Sequence, residues 1–414
     1  MPLAAVVSQS ARMQKDSAVA RTAEGIFRKE PMPALSVAAY RGSVLAFAEA
    51  YGEVDLELGV TATTSHRFRV GSGAKPVTAT LAAIMADEGI VSLDAGIGRY
   101  MPALPNAHHA TTLRQLLTHR GGIRHYIARD SDRAAAGGAI DSRTYFSNAD
   151  ILAVFIDDPL IAVPGTKMTY STFGYTLASI VLEEAAGTPF VELLQQKIAA
   201  PLGLASLTVD APRRVIPWRA SGYGRASQVR EVPPVSGVWA NAPANNPAYK
   251  WAGGGLVMTP CDFARFGAAH LAPGVLSRRV LDTLLTVQVP DSSPPLGLGW
   301  RINRDSKGRL RWHHAGGQEG ARSIRISSYR SPSPPTRPEL RVTCSRRPSC
   351  SPTRCDIRDS RRGPRPADCG CVRPFDCHRG GAHMTRRSTV QKARGDSKIW
   401  WTRTSRVGTK SASG

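Results

Sequence analysis

Two stretches of the chain have the apolar pattern of paired strands. Residues 34–51, ALSVAAYRGSVLAFAEAY, contain two apolar runs with Gly42 between them, which predicts a β-hairpin. Residues 297–317, GLGWRINRDSKGRLRWHHAGG, contain two further strand-like runs around the turn sequence at 305–308. We therefore expect strands near both ends of the main body of the chain.

Four segments between these hairpins have apolar residues at helical spacing. Gly89 and Gly187 follow two of them as expected C-caps, and Pro260 suits the first turn of another. The predicted helical segments are residues 75–88, 111–122, 173–186 and a segment from Asp262 onward. Strands at both ends with helices between them predict an α/β fold: a mostly antiparallel sheet flanked by helices, with a helical subdomain.

The regular pattern ends near residue 326. We expect residues 1–32 to be a lead-in segment, residues 33–325 to form one domain and residues 326–414 to form a basic tail rich in Pro, Arg and Cys. Crowded prolines and few apolar residues cannot build a core, so the tail is expected to be irregular or disordered. The preferred hypothesis for the origin of the tail is translation from a shifted reading frame, and an ordinary solvated basic tail is the alternative.

Most of the net positive charge lies in residues 321–414, which include this tail. Of the formal net charge of +22, residues 321–414 contribute 22 Lys and Arg against 6 Asp and Glu, or +16, which leaves +6 for residues 1–320. A strongly basic surface favours nucleic acid, but the body is only mildly basic. No nucleic-acid partner is expected for the body, and binding through the tail is kept as a separate hypothesis.

Cysteine follows the same division, with Cys261 in the body and six cysteines in the tail. The tail cysteines lack the paired C-x-x-C spacing of zinc modules, so we expect neither a metal nor a cofactor. No apolar run approaches the 18 or so residues of a membrane span, and the first residues are too short in apolar character for a secretory signal. A soluble protein, cytoplasmic by default, is expected; the sequence does not indicate its oligomeric state.

Ser72 and Lys75 are the first candidates for chemistry. Glycine flanks Ser72 on both sides, and an apolar helix begins at once. Residues three apart on a helix are neighbours, burial favours an uncharged amine, and the helix N-terminus favours negative charge on the serine oxygen. One Ser-x-x-Lys match is nevertheless expected by chance in this chain. The alternative is an ordinary serine at a helix start beside a solvated lysine.

Two further motifs strengthen the interpretation of Ser72 and Lys75 as catalytic residues. Tyr170, Ser171 and Thr172 enter a predicted helix, and His314 to Gly317 end a predicted strand. With these three motifs in order, the sequence resembles the serine β-lactamase and penicillin-binding protein superfamily, in its class C-like branch. Strings such as IRHY, YSTFGYTL and YKWAGGG are similar to its mitochondrial β-lactamase-like members and their bacterial relatives.

The resemblance implies a fold of the β-lactamase/transpeptidase type and a role for each motif residue. It implies that Ser72 attacks a carbonyl carbon while Lys75 and Tyr170 share the proton transfers. His314 takes the place of the lysine in Lys-Thr-Gly; strand alternation turns its neighbour His313 to the opposite face. The N–H groups of Ser72 and Gly317 form the oxyanion hole, and glycine at 317 is expected to let the strand approach the substrate closely.

Thr172 stands where many members of this superfamily carry asparagine. A hydroxyl cannot offer the two-sided recognition of an amide, so Thr172, as a substrate-binding residue, favours peptides or esters over β-lactams. His119 and His125 are expected to support the pocket wall. We predict a serine hydrolase of small amides, peptides or esters. The alternative is a catalytically impaired relative that serves as a binding or assembly module, because of its unusual C-terminus.

Overall fold

Twelve strands and eleven helices lie within the described part of the chain. The structure is a computed structural model that describes residues 17–30, 32–132, 134, 138–225, 239–272, 274–318, 321–330 and 339–344. The strands are Ala34–Arg41 (β1), Val44–Asp55 (β2), Val60–Thr61 (β3), Phe68–Arg69 (β4), Thr208–Val209 (β5), Tyr223–Arg225 (β6), Trp239–Asn241 (β7), Leu256–Met258 (β8), Arg301–Arg304 (β9), Leu310–Gln318 (β10), Ala321–Arg330 (β11) and Glu339–Cys344 (β12). The helices are Ser17–Lys29 (α1), Ala74–Asp87 (α2), Asn106–His109 (α3), Leu113–Leu117 (α4), Asn148–Leu152 (α5), Thr172–Ala186 (α6), Phe190–Leu194 (α7), Ala200–Leu202 (α8), Trp251–Gly254 (α9), Pro260–Ala269 (α10) and Arg278–Leu285 (α11).

Seven of these strands form an antiparallel sheet in the order β3-β2-β1-β12-β11-β10-β9. Both predicted hairpins are confirmed. Gly42 turns the β1–β2 hairpin with a φ of +62°. In the β9–β10 hairpin, the Asp305 carboxylate accepts hydrogen bonds from the backbone N–H groups of Lys307 and Arg309. The mostly antiparallel sheet expected from the sequence is therefore the centre of the fold.

Helices cover both faces of this sheet. Helix α1 packs on β1 and β2, and α10 contacts β1, β11 and β12. The cluster under α1 contains Val19, Ala23, Leu35, Val37, Ala39 and Phe47. Ala38 and Tyr40, which alternate with the β1 members of that cluster, belong to the main core instead. Burial on both faces explains why β1 reads as a continuous apolar run rather than an alternating one.

The sheet continues beyond residue 325, where the sequence predicts a tail. Strand β12 occupies the place between β11 and β1, and Ile326 of β11 is fully buried. The expectation of irregular structure from residue 326 is wrong for β11 and β12. A period of two runs through SIRISSYR and ELRVTC, but the surrounding prolines and arginines hide it. Residues 345–414 lie outside the described part of the chain. The predictions of disorder and of a shifted reading frame for them therefore stay predictions.

Helix α2 runs through the interior and contacts α6, α9 and α11. Gly299 brings the segment before β9 directly against α2, since a Cβ there would lie 2.6 Å from the Cβ of Ala79. The helices predicted at 75–88 and 173–186 are confirmed as α2 and α6, with small shifts at their ends. The helix expected over 111–122 is shorter: α4 has its capping box at Thr112 and ends at Leu117, and His119 takes a left-handed φ of +62°.

A small second sheet, in the order β4-β8-β5, leads the chain toward the start of α2. Asp210, which is 1% exposed, forms ion pairs with Arg69 of β4 and with Arg219. Its backbone N–H donates to the Gly255 carbonyl, and its carbonyl accepts from the indole N–H of Trp251. Asp210 thus connects the end of β4, through its carboxylate, with the turn that contains α9, through its backbone.

His270 is a buried histidine of the core, beyond the end of α10. Its ring packs edge-on against Phe266 and Trp300, at centroid distances of 4.8 and 5.0 Å. Nδ1 lies 2.9 Å from the Phe266 carbonyl oxygen and Nε2 lies 3.0 Å from the Thr80 hydroxyl. Burial lowers the pKa of His270 to about 4, against the opposing effect of the Phe266 carbonyl.

The pKa of His270 predicts a loss of stability in mild acid. As the pH falls below about 6.5, the unfolded chain binds a proton that the folded chain does not bind until about pH 4. The free energy of unfolding should therefore fall across this window by about 1.4 kcal/mol per pH unit from this residue. Urea unfolding at several pH values should show a shallower dependence for His270→Phe than for wild type. Equal slopes for the two proteins would contradict this assignment.

Candidate active site

Ser72 lies in a tight 3-10 turn, Gly71–Gly73, between β4 and α2. The Val70 N–H donates to the Leu256 carbonyl at 2.9 Å, and the Gly73 N–H donates to the Val70 carbonyl at 3.0 Å. Helix α2 follows at once, so Ser72 lies at the N-terminal end of a 14-residue helix. The unpaired N–H groups of such an end favour negative charge on a nearby oxygen.

Strand β10 lies directly against this turn, at two glycines. A Cβ on Gly316 would lie 2.1 Å from the Val70 carbonyl oxygen and 3.1 Å from the Ser72 nitrogen. A Cβ on Gly71, whose φ is +51°, would lie 2.8 Å from the Gly317 nitrogen. At Gly317 itself an added Cβ would meet no atom within 4 Å. The close contact between β10 and the Ser72 turn therefore depends on Gly316 and Gly71. The Gly317 nitrogen lies next to the turn, and the approach of the strand to a substrate at Gly317 stays a prediction.

Lys75, one turn into α2, is fully buried. Its Nζ lies 3.3 Å from Ser72 Oγ, 3.2 Å from Thr172 Oγ1 and 2.6 Å from the Gly253 carbonyl oxygen. Burial lowers the pKa of Lys75, although the neighbouring Tyr170 works in the opposite direction. The amine is thus shifted toward the uncharged form that can accept a proton.

Tyr170 completes the arrangement around Ser72. Its phenolic oxygen lies 2.9 Å from Ser72 Oγ, and Lys75 Nζ lies 4.8 Å from its ring centroid. Burial works to raise the pKa of the phenol, but the Lys75 charge and the hydrogen bond to Ser72 outweigh it. The pKa of Tyr170 consequently lies below its ordinary value. The structure therefore brings together the serine, amine and phenol that the sequence predicts.

Thr172 begins α6 and is 4% exposed. Its hydroxyl contacts the Lys75 amine, and its methyl lies 2.5 Å from the place that a Cβ on Gly253 would occupy. Glycine at position 253 is thereby explained, since a side chain there would collide with Thr172 as the Gly253 carbonyl approaches Lys75. Contact between Thr172 and a substrate stays a prediction, since the hydroxyl is placed against the lysine.

His314 is buried at the middle of β10 and is 6% exposed. Its Nδ1 lies 2.8 Å from the Ala315 carbonyl oxygen, so this nitrogen donates and Nε2 is left as an acceptor. Burial, followed by the Lys75 charge, lowers the pKa of His314 to about 3. A neutral imidazole therefore stands where the resemblance implies a cationic lysine in other members of the superfamily.

One known protein family matches most of this chain. The sequence profile described as Beta-lactamase matches residues 18–327. The chain belongs to the beta-lactamase family. It is 26% identical over 286 residues to the Homo sapiens "Serine beta-lactamase-like protein LACTB, mitochondrial", a match that covers 54% of this chain and 51% of that protein. It is 27% identical over 289 residues to "Esterase EstB" of Burkholderia gladioli, covering 64% of this chain and 73% of the esterase.

Solved structures of this beta-lactamase-like fold superpose on most of the chain. The D-stereospecific amidohydrolase from Streptomyces sp. gives a TM-score of 0.64 at 24% identity and covers 80% of this chain and 94% of its own. This likeness establishes the β-lactamase/transpeptidase-like α/β fold. The chain spans about half the length of the Homo sapiens and Mus musculus relatives that it matches.

Two histidines hold the start of α6 in place. The Ser171 N–H donates to His119 Nδ1 at 3.1 Å, and the Thr172 N–H donates to His125 Nδ1 at 3.3 Å. The His119 ring lies 4.4 Å from the Tyr170 ring, and the His125 ring lies 5.4 Å from it. Both histidines thus contact the segment that carries Tyr170, and their role in supporting the pocket wall stays a prediction.

Arg301, at the start of β9, is a functional candidate that sequence reasoning missed. It is partly buried, and its charge lowers the pKa values of Tyr170, His119 and His314. Nothing in the local pattern distinguishes this arginine from an ordinary solvated strand residue; its neighbours in space do. Arg301 therefore adds a positive charge near the predicted catalytic groups.

None of the helices described has both the length and the apolar character needed to cross a bilayer. Within the same residues, no three His, Cys, Asp or Glu side chains cluster as a metal site would require.

The two neighbouring glycines of β10 make a matched pair for a stability test. Gly316→Ala should lower the free energy of unfolding by about 2 kcal/mol or more, because the new Cβ collides with backbone atoms that cannot move separately. Gly317→Ala should change it by less than about 1 kcal/mol, since the added Cβ meets open space. Chemical denaturation of the two variants measures the difference. Equal losses would contradict the close contact between β10 and the Ser72 turn.

Proposed function

We propose that this protein is a serine hydrolase that forms an acyl-enzyme on Ser72 and acts on small amides, peptides or esters. The observation that carries this proposal is the convergence of Lys75 Nζ and Tyr170 Oη on Ser72 Oγ, at 3.3 and 2.9 Å. A serine hydroxyl is a weak nucleophile until a neighbouring base takes its proton. Both neighbours here have pKa values shifted toward that task.

The surroundings of Lys75 suit a proton acceptor. A neutral amine has two N–H bonds and one lone pair. The Gly253 carbonyl and the Thr172 hydroxyl can take the two N–H bonds, which directs the lone pair to Ser72. After it accepts the serine proton, the ammonium has three N–H bonds and the same three acceptors. Lys75 can therefore change its protonation state without a rearrangement of its neighbours.

In the proposed reaction, Ser72 Oγ forms a bond to the substrate carbonyl carbon while its proton passes to Lys75. The carbonyl π electrons move onto the oxygen, which becomes an oxyanion. When this intermediate collapses, the bond to the leaving amine or alcohol breaks, and Tyr170 gives that group a proton and regains one from Lys75. Water then attacks the acyl-enzyme by the same steps in reverse order, releasing the acid and Ser72.

The oxyanion is proposed to bind the backbone N–H groups of Ser72 and Gly317. Their proximity supports this assignment, because the Gly317 nitrogen and the Ser72 nitrogen both lie within contact distance of the glycine positions where β10 meets the turn. Backbone donors that are already in position cost no reorganisation, and each can contribute about 3 kcal/mol to the transition state. His314, neutral and with Nε2 as an acceptor, is proposed to orient the substrate or a leaving-group proton.

The relatives support both ester and amide substrates, since one is named an esterase and one an amidohydrolase. Arg301 further supports substrates with an anionic group near the scissile carbonyl, because its charge reaches Tyr170 and His314. A retained serine, amine and phenol give the alternative of an impaired binding module no specific support.

Covalent labelling of Ser72 tests the proposal. A fluorophosphonate probe should label wild type and the surface variant Ser65→Ala equally, and should not label Ser72→Ala. Lys75→Met should slow labelling by about 10²-fold or more, because it removes the proton acceptor. Intact-mass spectrometry measures the adduct. Labelling that persists in Ser72→Ala removes this residue from its role, and labelling of wild type without turnover of any ester or peptide favours the binding module.

Charge selectivity is expected to depend on Arg301. Arg301→Gln should lower kcat/KM about 10-fold for an ester that carries a carboxylate near the acyl group, because it removes a positive charge that attracts the carboxylate. The same variant should change kcat/KM for the matched neutral ester by less than about threefold. Arg304→Gln, an exposed position on the same strand, is the control. Equal effects of Arg301→Gln on the two esters would exclude this role.

A further inference from the structure

His119, whose ring packs against Tyr170, has an unusual backbone conformation. Its φ of +62° is in the left-handed region, which only one other non-glycine residue among those described, Trp218, adopts. A non-glycine residue in this region costs about 1–3 kcal/mol and persists where the surrounding contacts require it. At His119 the requirement comes from the end of α4: the His119 N–H donates to the Leu116 carbonyl at 3.2 Å and the Arg120 N–H donates to the Gln115 carbonyl at 2.7 Å, a helix ending that needs a left-handed residue at this position.

Three contacts of His119 converge on residues 169–171. The His119 carbonyl accepts a hydrogen bond from the Thr169 N–H at 2.8 Å. Its ring Nδ1 accepts one from the Ser171 N–H at 3.1 Å. Its ring lies 4.4 Å from the Tyr170 ring. The residue before Tyr170, the residue after it and its own ring are thus all held by His119.

We propose that His119 is a positioning residue that sets the Tyr170 phenol against Ser72. This inference rests on the proposed function, in which Tyr170 transfers protons to and from Ser72. Because Nδ1 accepts from Ser171, the ring must carry its proton on Nε2 and must be neutral. Burial is the largest cause that holds the pKa of His119 well below its ordinary value, so the neutral form is the one present at neutral pH.

The neighbouring groups do not duplicate this role. The His125 ring accepts from the Thr172 N–H, one residue further on. The Ser171 hydroxyl accepts from the Gly174 N–H and donates to the Arg124 carbonyl. Without the His119 ring, the Ser171 N–H would be left buried without its acceptor, and the segment that carries Tyr170 would be free to shift. A shift of about 1 Å in a reacting group can cost about 10²-fold in rate.

Two substitutions separate the ring acceptor from the backbone conformation. Glycine and asparagine both tolerate the left-handed region, but only asparagine offers a side-chain oxygen near the place of Nδ1. His119→Gly should lower kcat for an ester by about 10²-fold with KM changed by less than about threefold. His119→Asn should recover about 10-fold of that loss, because the Ser171 N–H regains an acceptor. His270→Phe, which alters a buried histidine outside the site, is the control and should keep the wild-type kcat.

Hydrogen exchange gives a readout that does not depend on activity. Exchange of the Ser171 amide, followed by NMR below the unfolding transition of each variant, should be faster in His119→Gly and slow again in His119→Asn. Wild-type kcat in His119→Gly, or an asparagine variant no faster than the glycine variant, would overturn the inference while Ser72 labelling still supports the hydrolase. Absence of labelling in wild type would instead contradict the proposed function. Unchanged Ser171 exchange in His119→Gly would contradict the role of the His119 ring as the acceptor of the Ser171 N–H.

Discussion

The burial of one amine is the constraint on which the rest of the structure depends. Lys75 has no exposed surface, and an amine in such a place is tolerated only when its N–H bonds are satisfied. Its three partners come from different parts of the chain: the turn before α2, the start of α6 and the glycine-rich α9. The hydrogen bonds of Lys75 therefore fix the distances among the elements that carry Ser72, Tyr170 and Gly253. Moving any of these elements would leave a buried N–H bond without its acceptor and would destabilise the fold.

Each of these elements is in turn held by a group outside the pocket. Asp210 ties the end of β4 to the turn of α9 through two arginines and two backbone hydrogen bonds. His119 and His125 accept the first N–H groups of α6, which no helix carbonyl can reach. Gly316 allows β10 to touch the Ser72 turn. The geometry of the site is a consequence of buried polar contacts rather than of apolar packing alone.

Features set by local physics could be predicted from the sequence. The hairpin at Gly42, the helices α2 and α6 and the three motifs depend on turn chemistry and residue spacing, and these are visible in one dimension. Features set by neighbours in space could not. Arg301 and His119 gain their significance from Tyr170, and the glycine requirement falls at Gly316 because of the Val70 carbonyl. Strands β11 and β12 were missed for a third reason, since a composition typical of disorder conceals their alternation.

The charged groups around Ser72 favour a reaction in which negative charge develops. Arg301 is a cation whose charge lowers the pKa values of both Tyr170 and His314, and Lys75 adds a second positive charge once it has taken the serine proton. His119 and His314 are buried with lowered pKa values, so they add hydrogen-bonding capacity without adding further positive charge. Such a balance favours negative charge on an oxyanion or on a phenolate, as the proposed reaction requires. Acyl transfer, in which negative charge appears on the carbonyl oxygen, is the chemistry that such a field assists.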